Sequence, residues 1–146
     1  MSRVQEVLAA KGSQVHHVPP QATVYEAVEK MVREGVGSLM VLEGDTIAGI
    51  FTERDYLRRV ALQDMRPRAT AVSDVMTTRV IFVGPERTLE DCMAIMTQER
   101  IRHLPVVVDG RLAGMISIGD LVKHLSRERE VEIRYLTEYI TGQPSG

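Results

Sequence analysis

The stretch Gly49–Asp55 reads Gly-Ile-Phe-Thr-Glu-Arg-Asp, and 65 positions further on Gly114–Asp120 reads Gly-Met-Ile-Ser-Ile-Gly-Asp. Each copy is a glycine, two apolar residues, a hydroxyl residue, two variable residues and an aspartate. Each stands where an apolar run ends and a helical pattern begins. Recurrence at a fixed interval is the signature of a repeat architecture. The same shift aligns Val15–Val60 with Val80–Leu125 without a gap. It matches Pro20 with Pro85, Thr23 with Thr88, Met31 with Met96 and Val41 with Val106. These pairs fall at caps, turns and apolar positions, so the chain is two similar halves.

Working outward, each half has one order of elements. Val15–Val18 reads as a short strand stopped by Pro19 and Pro20. Thr23 opens a helix, with Glu26 at capping-box spacing. Val24, Ala27, Val28, Met31 and Val32 form its apolar face, and Gly35 closes it. Leu39–Leu42 and Ile47–Phe51, joined by Glu43-Gly44-Asp45, read as a hairpin. Thr52 caps a helix to about Leu62. In the second half, Val80–Val83 is the strand, and Thr88 caps a helix with Asp91 at the box position. Leu104–Val108 and Leu112–Ile116 make the hairpin, and Ser117 caps the last helix. A short helix over residues 3–11 precedes the first repeat, with Gly12 as C-cap. Gln63–Thr70, polar and carrying Pro67, is the linker candidate. Arg127–Ile140 reads as an amphipathic stretch, with Val131, Ile133, Leu136 and Ile140 on its apolar side. Residues 143–146 read as a disordered tail. The expected division is 1–70 for the N-terminal helix and first repeat, 71–128 for the second repeat, and 129–146 for the C-terminal helix and tail.

Composition narrows the function classes. With 146 residues, 44% hydrophobic and 26% charged, the chain can bury a core, but each half alone would be marginal. A net charge of −2 and no Trp give neither a global attraction to nucleic acid nor stacking platforms for it. The single cysteine, Cys92, leaves no disulfide and no thiolate cluster. No run approaches the roughly 20 apolar residues of a membrane span, and the N-terminus lacks the apolar core of a signal peptide. The expected location is the cytoplasm, with no membrane and no nucleic acid as partner. No GxSxG elbow, P-loop lysine or HExxH stretch occurs, so no catalytic constellation is expected. His16-His17 is not a metal pair, because neighbouring strand residues face opposite ways. Cys92 lies on the apolar face of its helix and reads as core rather than nucleophile.

A tandem β-α-β-β-α unit ending in Gly-φ-φ-(Ser/Thr)-x-x-Asp resembles the cystathionine-β-synthase (CBS) domain, which occurs in pairs. The resemblance covers nearly the whole chain. It rests on the strand–Pro–Thr–helix openings, on Arg102–Val107 (RHLPVV), on Val75–Thr77 (VMT), and on both Ser/Thr-x-x-Asp endings. It is nearest to small stand-alone proteins made of one CBS pair. The resemblance implies an α/β (α+β) fold of tandem repeats with pseudo-two-fold symmetry, two clefts between the halves, and association into flat dimers. It also implies regulation and energy sensing through adenine-containing ligands rather than catalysis.

The residues at those positions have suitable chemistry. Thr-x-x-Asp and Ser-x-x-Asp are capping boxes by spacing alone. An ionised carboxylate can also receive both vicinal hydroxyls of a ribose, and the resemblance gives Asp55 and Asp120 that role. Thr52 and Ser117 stand at helix N-termini, where free N–H groups favour a phosphate. Arg102 offers a donor fork and His103 a second donor, and the resemblance sets both by the Ser117–Asp120 motif. Their counterparts Gly37 and Ser38 are uncharged, so the two sites are expected to differ. The resemblance frames the adenine with His16 and Gly37–Leu39 (Gly37, Ser38, Leu39) in one site, and with Ile81 and Arg102–Pro105 (with Leu104 and Pro105) in the other. Arg54, Arg58 and Arg59 read as a solvated face, or as a phosphate or dimer contact. The expected ligand is AMP, with NAD(H) or ATP next and ADP and S-adenosylmethionine also within the family's range. The expected assembly is a homodimer. The alternative is a ligand-free module that dimerises and docks a partner enzyme or transporter.

Overall fold

The computed structural model describes residues 2–127, Leu136, Tyr139 and Ile140. In chain order the elements are α1 (Val4–Lys11), β1 (His17–Val18), α2 (Val24–Glu34), β2 (Ser38–Glu43), β3 (Thr46–Thr52), α3 (Glu53–Asp55), α4 (Leu89–Glu99), β4 (His103–Val108), β5 (Arg111–Ser117) and α5 (Ile118–Ser126). The mixed α+β composition and the order within each repeat follow the sequence pattern. The chain divides into two compact units. One holds Gln14–Ile81 with Asp109–Leu112, the other Met1–Ser13, Phe82–Val108 and Ala113–Gly146.

In the first of these units β1 runs parallel to β2, and β2 antiparallel to β3, in the order β1-β2-β3. The register pairs Ser38 with Thr52 and Leu39 with Phe51, and it shifts between Val41 and Leu42. That shift is a bulge just before Gly49, the start of the motif. Thr23 caps α2 through a complete box with Glu26, and Gly35 closes α2 in the left-handed conformation at φ 66°. Val24, Ala27 and Met31 of α2 join Leu39, Val41 and Phe51 of the sheet in one apolar core. Val32 does not follow them: it is 77% exposed. Periodicity put it on the apolar face, but no element of its own unit covers that end of α2. Beyond Asp55 the helix widens over Tyr56–Ala61, where Leu62 N donates to Leu57 O, five residues back. The segment after Gln63 is not featureless, since it carries single turns at Pro67–Ala69 and Val72–Asp74.

The second unit repeats the plan with a two-stranded instead of a three-stranded sheet. β4 and β5 form a hairpin, and α5 packs against α1 and α4. Val4, Leu89, Cys92, Met96, Leu104, Ile116 and Leu121 are completely buried here. The expected strand at Val80–Val83 is reduced to one parallel bridge, Val83 with Val106. The cause is Pro105. In the first repeat Met40 N donates to His16 O, and the position matching Met40 is a proline without an N–H. The Val15–Val18 strand is likewise only His17–Val18. Thr88 caps α4 by accepting from Asp91 N, but Asp91 does not return a bond, and its carboxylate lies 4.0 Å from Arg87. Of the amphipathic stretch Arg127–Ile140, Leu136 is buried and Ile140 exposed. Val131, Ile133 and the tail 143–146 lie outside the described residues.

Candidate functional site

Each repeat motif is a strand end running into a helix start. In the first unit Thr52 leaves β3 with extended backbone and caps the following turn. Asp55 Oδ2 accepts from Thr52 N at 3.0 Å and from Thr52 Oγ1 at 3.2 Å. Its other oxygen, Oδ1, accepts from Thr77 Oγ1 at 2.9 Å. Arg59 Nε stands 4.0 Å from the same oxygen, and its guanidinium donates to the carbonyls of Val75 and Met76. Both oxygens of Asp55 are therefore occupied, and the residue is only 5% exposed. The neighbouring backbone is just as close. Ile50 and Thr77 exchange both N–H···O bonds, and a Cβ at Gly49 would lie 2.6 Å from Thr77 O. Glycine is needed here because another backbone occupies the space.

The second motif has the same local geometry and a different neighbour. Ser117 caps α5, with Ser117 N donating to Asp120 Oδ2 at 2.8 Å and Asp120 N to Ser117 Oγ at 3.1 Å. The partner on the carboxylate is Lys11, at the end of α1. Its Nζ lies 2.7 Å from Asp120 Oδ2 and 2.9 Å from Met115 O. Burial pushes the Asp120 carboxyl up. Hydrogen bonds from Lys11 and the Ser117 amide, with the Lys11 charge, outweigh it and hold the group below its usual value. The Asp120 side chain is 21% exposed. A Cβ at Gly114 would lie 2.7 Å from Leu8 Cδ2, so α1 also covers the start of this motif.

The other candidate residues gather by unit. Arg102 O accepts from Ile118 N at 2.9 Å, which brings the Arg102–Pro105 stretch beside the Ser117 cap. Arg102 is exposed, His103 half-buried, and Leu104 and Pro105 buried. In the first unit the matching bond runs from Glu53 N to Gly37 O at 3.1 Å. Ser38 and Leu39 are buried in β2, and His16 meets Met40 through its carbonyl. Ile81 is half-buried and belongs to the first unit, with Gly37 and not with Arg102. Glu53 adds a feature that residue matching alone does not supply. A Cβ at Gly37 would sit 3.3 Å from Glu53 Oε1, so a carboxylate stands where the second repeat has Arg102 and Ile118.

Sequence reasoning passed over two residues that touch the aspartates, Lys11 and Thr77. Thr77 lay inside the quoted Val75–Thr77 phrase. Lys11 carried no local signal, because its partner is 109 residues away.

Cys92 is completely buried in α4. Burial pushes its thiol up to about 11, opposed by Arg87 and reinforced by Asp91 and Glu90. At pH 8 the thiolate fraction is therefore small, and the native protein should not react with a disulfide reagent such as Ellman's within an hour. One thiol should appear on denaturation; rapid native labelling would contradict the buried placement. Among the described residues no three His, Cys, Asp or Glu side chains form a metal-binding group. No helix among them is long and apolar enough to cross a membrane.

Comparison with known proteins gives a consistent set of likenesses. The CBS domain family matches this chain twice, over residues 6–62 and 72–127. The CBS domain-containing protein CBSX3, mitochondrial, of Arabidopsis thaliana is 43% identical over 125 residues, covering 82% of this chain and 61% of that protein. The chain thus spans somewhat less than two thirds of that relative. A solved structure of a protein with CBS domains from Burkholderia ambifaria superposes with a TM-score of 0.84 at 45% identity, covering 88% of this chain and 96% of the other. The CBS domain pair of protein MJ0100, solved in complex with 5′-methylthioadenosine and S-adenosyl-L-methionine, shares the fold at a TM-score of 0.75 and 18% identity. It covers 88% of this chain and 99% of that one.

Proposed function

This chain belongs to the CBS domain family as a pair of its repeats, and on that premise we propose that it is a non-catalytic regulatory module that binds an adenine nucleotide at the Ser117–Asp120 motif. The observation that carries this reading is the contrast between the two aspartates. Asp55 is buried with both oxygens occupied by its own unit. Asp120 keeps an exposed edge, and the carbonyl of the exposed Arg102 accepts from Ile118 N at the start of the same helix. A carboxylate for the ribose hydroxyls, the positive end of the α5 dipole and a guanidinium for a phosphate make a coherent set. One arginine suits one phosphate, so AMP is the first ligand to try, and NAD(H) and ATP follow. Glu53 works against a phosphate at the first motif. That the fold of MJ0100 holds adenosyl ligands supports the ligand class and leaves the individual ligand open. Mass spectrometry of small molecules released by denaturing freshly purified protein is the test. An adenosine-containing molecule is expected. Its absence, together with no thermal shift from AMP, ATP, NADH or S-adenosylmethionine, would favour the ligand-free docking module instead.

The homodimer belongs to the same proposal. A groove of about 490 Å³ in the first unit is lined mostly by apolar residues, Val28, Met31, Val32, Val36, Tyr56 and Leu57, together with Gly35, Gly37 and Glu53. Val32, Leu57 and Leu62 are 77%, 58% and 80% exposed. An apolar face of this kind fits a second copy of the chain. Leu57→Lys should convert the protein to a monomer in sedimentation velocity. A Leu57→Lys protein that still sediments as a dimer would remove this face from the interface.

A further inference from the structure

The α1 helix is fixed at its start by backbone bonds: Val4 N donates to Arg87 O, Gln5 N to Pro85 O, and Leu89 N to Ser2 O. Val4 and Val7 are buried beneath it. Its last turn therefore delivers Leu8 onto Gly114 and the Lys11 ammonium onto Asp120 Oδ2 and Met115 O. We propose that Lys11 is a built-in competitor for ribose at Asp120, a specificity-determining residue that weakens nucleoside binding by holding Oδ2. This rests on the adenosine reading above and adds to it what currently holds the carboxylate.

The chemistry is a contest for one group. A ribose diol presents two hydroxyl donors to a carboxylate. Asp120 Oδ2 already receives the Ser117 N–H and the Lys11 ammonium, and the latter bond is charge-assisted and stronger than a hydroxyl can make alone. The Lys11 and Asp120 side chains are 35% and 21% exposed, so the pair is reachable by a ligand and screened by salt. At the first motif the aspartate has a more distant cation, Arg59, with Nε 4.0 Å from Oδ1, and it comes from the same helix. There Thr77, a neutral hydroxyl, donates to Oδ1 of the buried Asp55, the oxygen that does not receive the Thr52 amide. Ligand binding at Oδ2 of the second motif thus exchanges an internal ion pair for a nucleoside, and it loosens the last turn of α1 as it does so.

Adenosine is the probe, because it is uncharged and adds no electrostatic attraction of its own. Calorimetric titration of the full chain should show Lys11→Met binding adenosine about two- to fivefold more tightly than the wild type, the range of a partly exposed ion pair. Raising the ionic strength from about 20 mM to about 500 mM should strengthen wild-type binding and leave the variant unchanged, since only the wild type has a pair to screen. If Lys11→Met lowers the melting temperature, Lys11→Gln takes its place in the same comparison. Equal or weaker adenosine binding by the variant, or the same salt response in both proteins, overturns the competitor role while the adenosine reading stands. If neither protein binds adenosine or AMP, the adenosine reading fails and Lys11 has nothing to compete with.

Discussion

Replacing Asp120 by alanine should reduce AMP affinity about 100-fold. Two hydrogen bonds to an ionised acceptor, each worth about 1.5 kcal/mol or more, disappear with the carboxylate. The aspartate is placed for such contact by Ser117 N at 2.8 Å and remains partly open to solvent. Asp55→Ala should change AMP affinity much less, because the oxygens of Asp55 are consumed within its own unit. Titration of the two variants side by side separates the motifs. Equal losses would mean that both aspartates contact ligand, and the asymmetry drawn from Arg102 and Glu53 would be wrong.

Asp55→Ala should instead be the costlier change for stability. It removes a buried acceptor and leaves the Thr77 hydroxyl and the Thr52 amide without their partner. Losing a buried charged hydrogen-bond acceptor costs about 2–4 kcal/mol. For a chain of this size the melting temperature should fall by about 10 °C. Asp120→Ala breaks a more exposed pair, and its cost should be about 1 kcal/mol or less. Thermal unfolding followed by circular dichroism checks both. A larger loss for Asp120→Ala would show that α1, and not the Thr77 segment, is the principal clasp. The same aspartate in the same motif is thus expected to stabilise the fold in one repeat and bind ligand in the other.

The sequence made the frame legible because its signals are local. Thr23 with Glu26, Thr52 with Asp55 and Ser117 with Asp120 each close within three residues, and all three boxes form. The hairpins were legible from apolar runs around Gly44 and Gly110, both of which take positive φ. Where pairing is non-local the reading weakened. Val80–Val83 has strand composition, yet its length is set by a distant proline, Pro105. Val32 has helical spacing, yet spacing does not say whether anything covers that side of α2. The candidate site divided in the same way. Its aspartates and caps could be read from the motifs, whereas Lys11 and Thr77 reach them from segments that precede the other repeat. Those segments are linked to the motifs by the fold alone. Glu53 lay within the quoted motif as a variable position, and its bearing on Gly37 emerged only from the backbone bond between them.

The central claim is that the Ser117–Asp120 motif binds an adenine nucleotide. Its most direct test is isothermal titration of the intact, ligand-stripped wild-type protein with AMP, ATP, NADH and S-adenosylmethionine. Saturable binding of AMP with a Kd of roughly micromolar magnitude, about −8 kcal/mol, is the predicted result. No saturable binding by any of the four would contradict it.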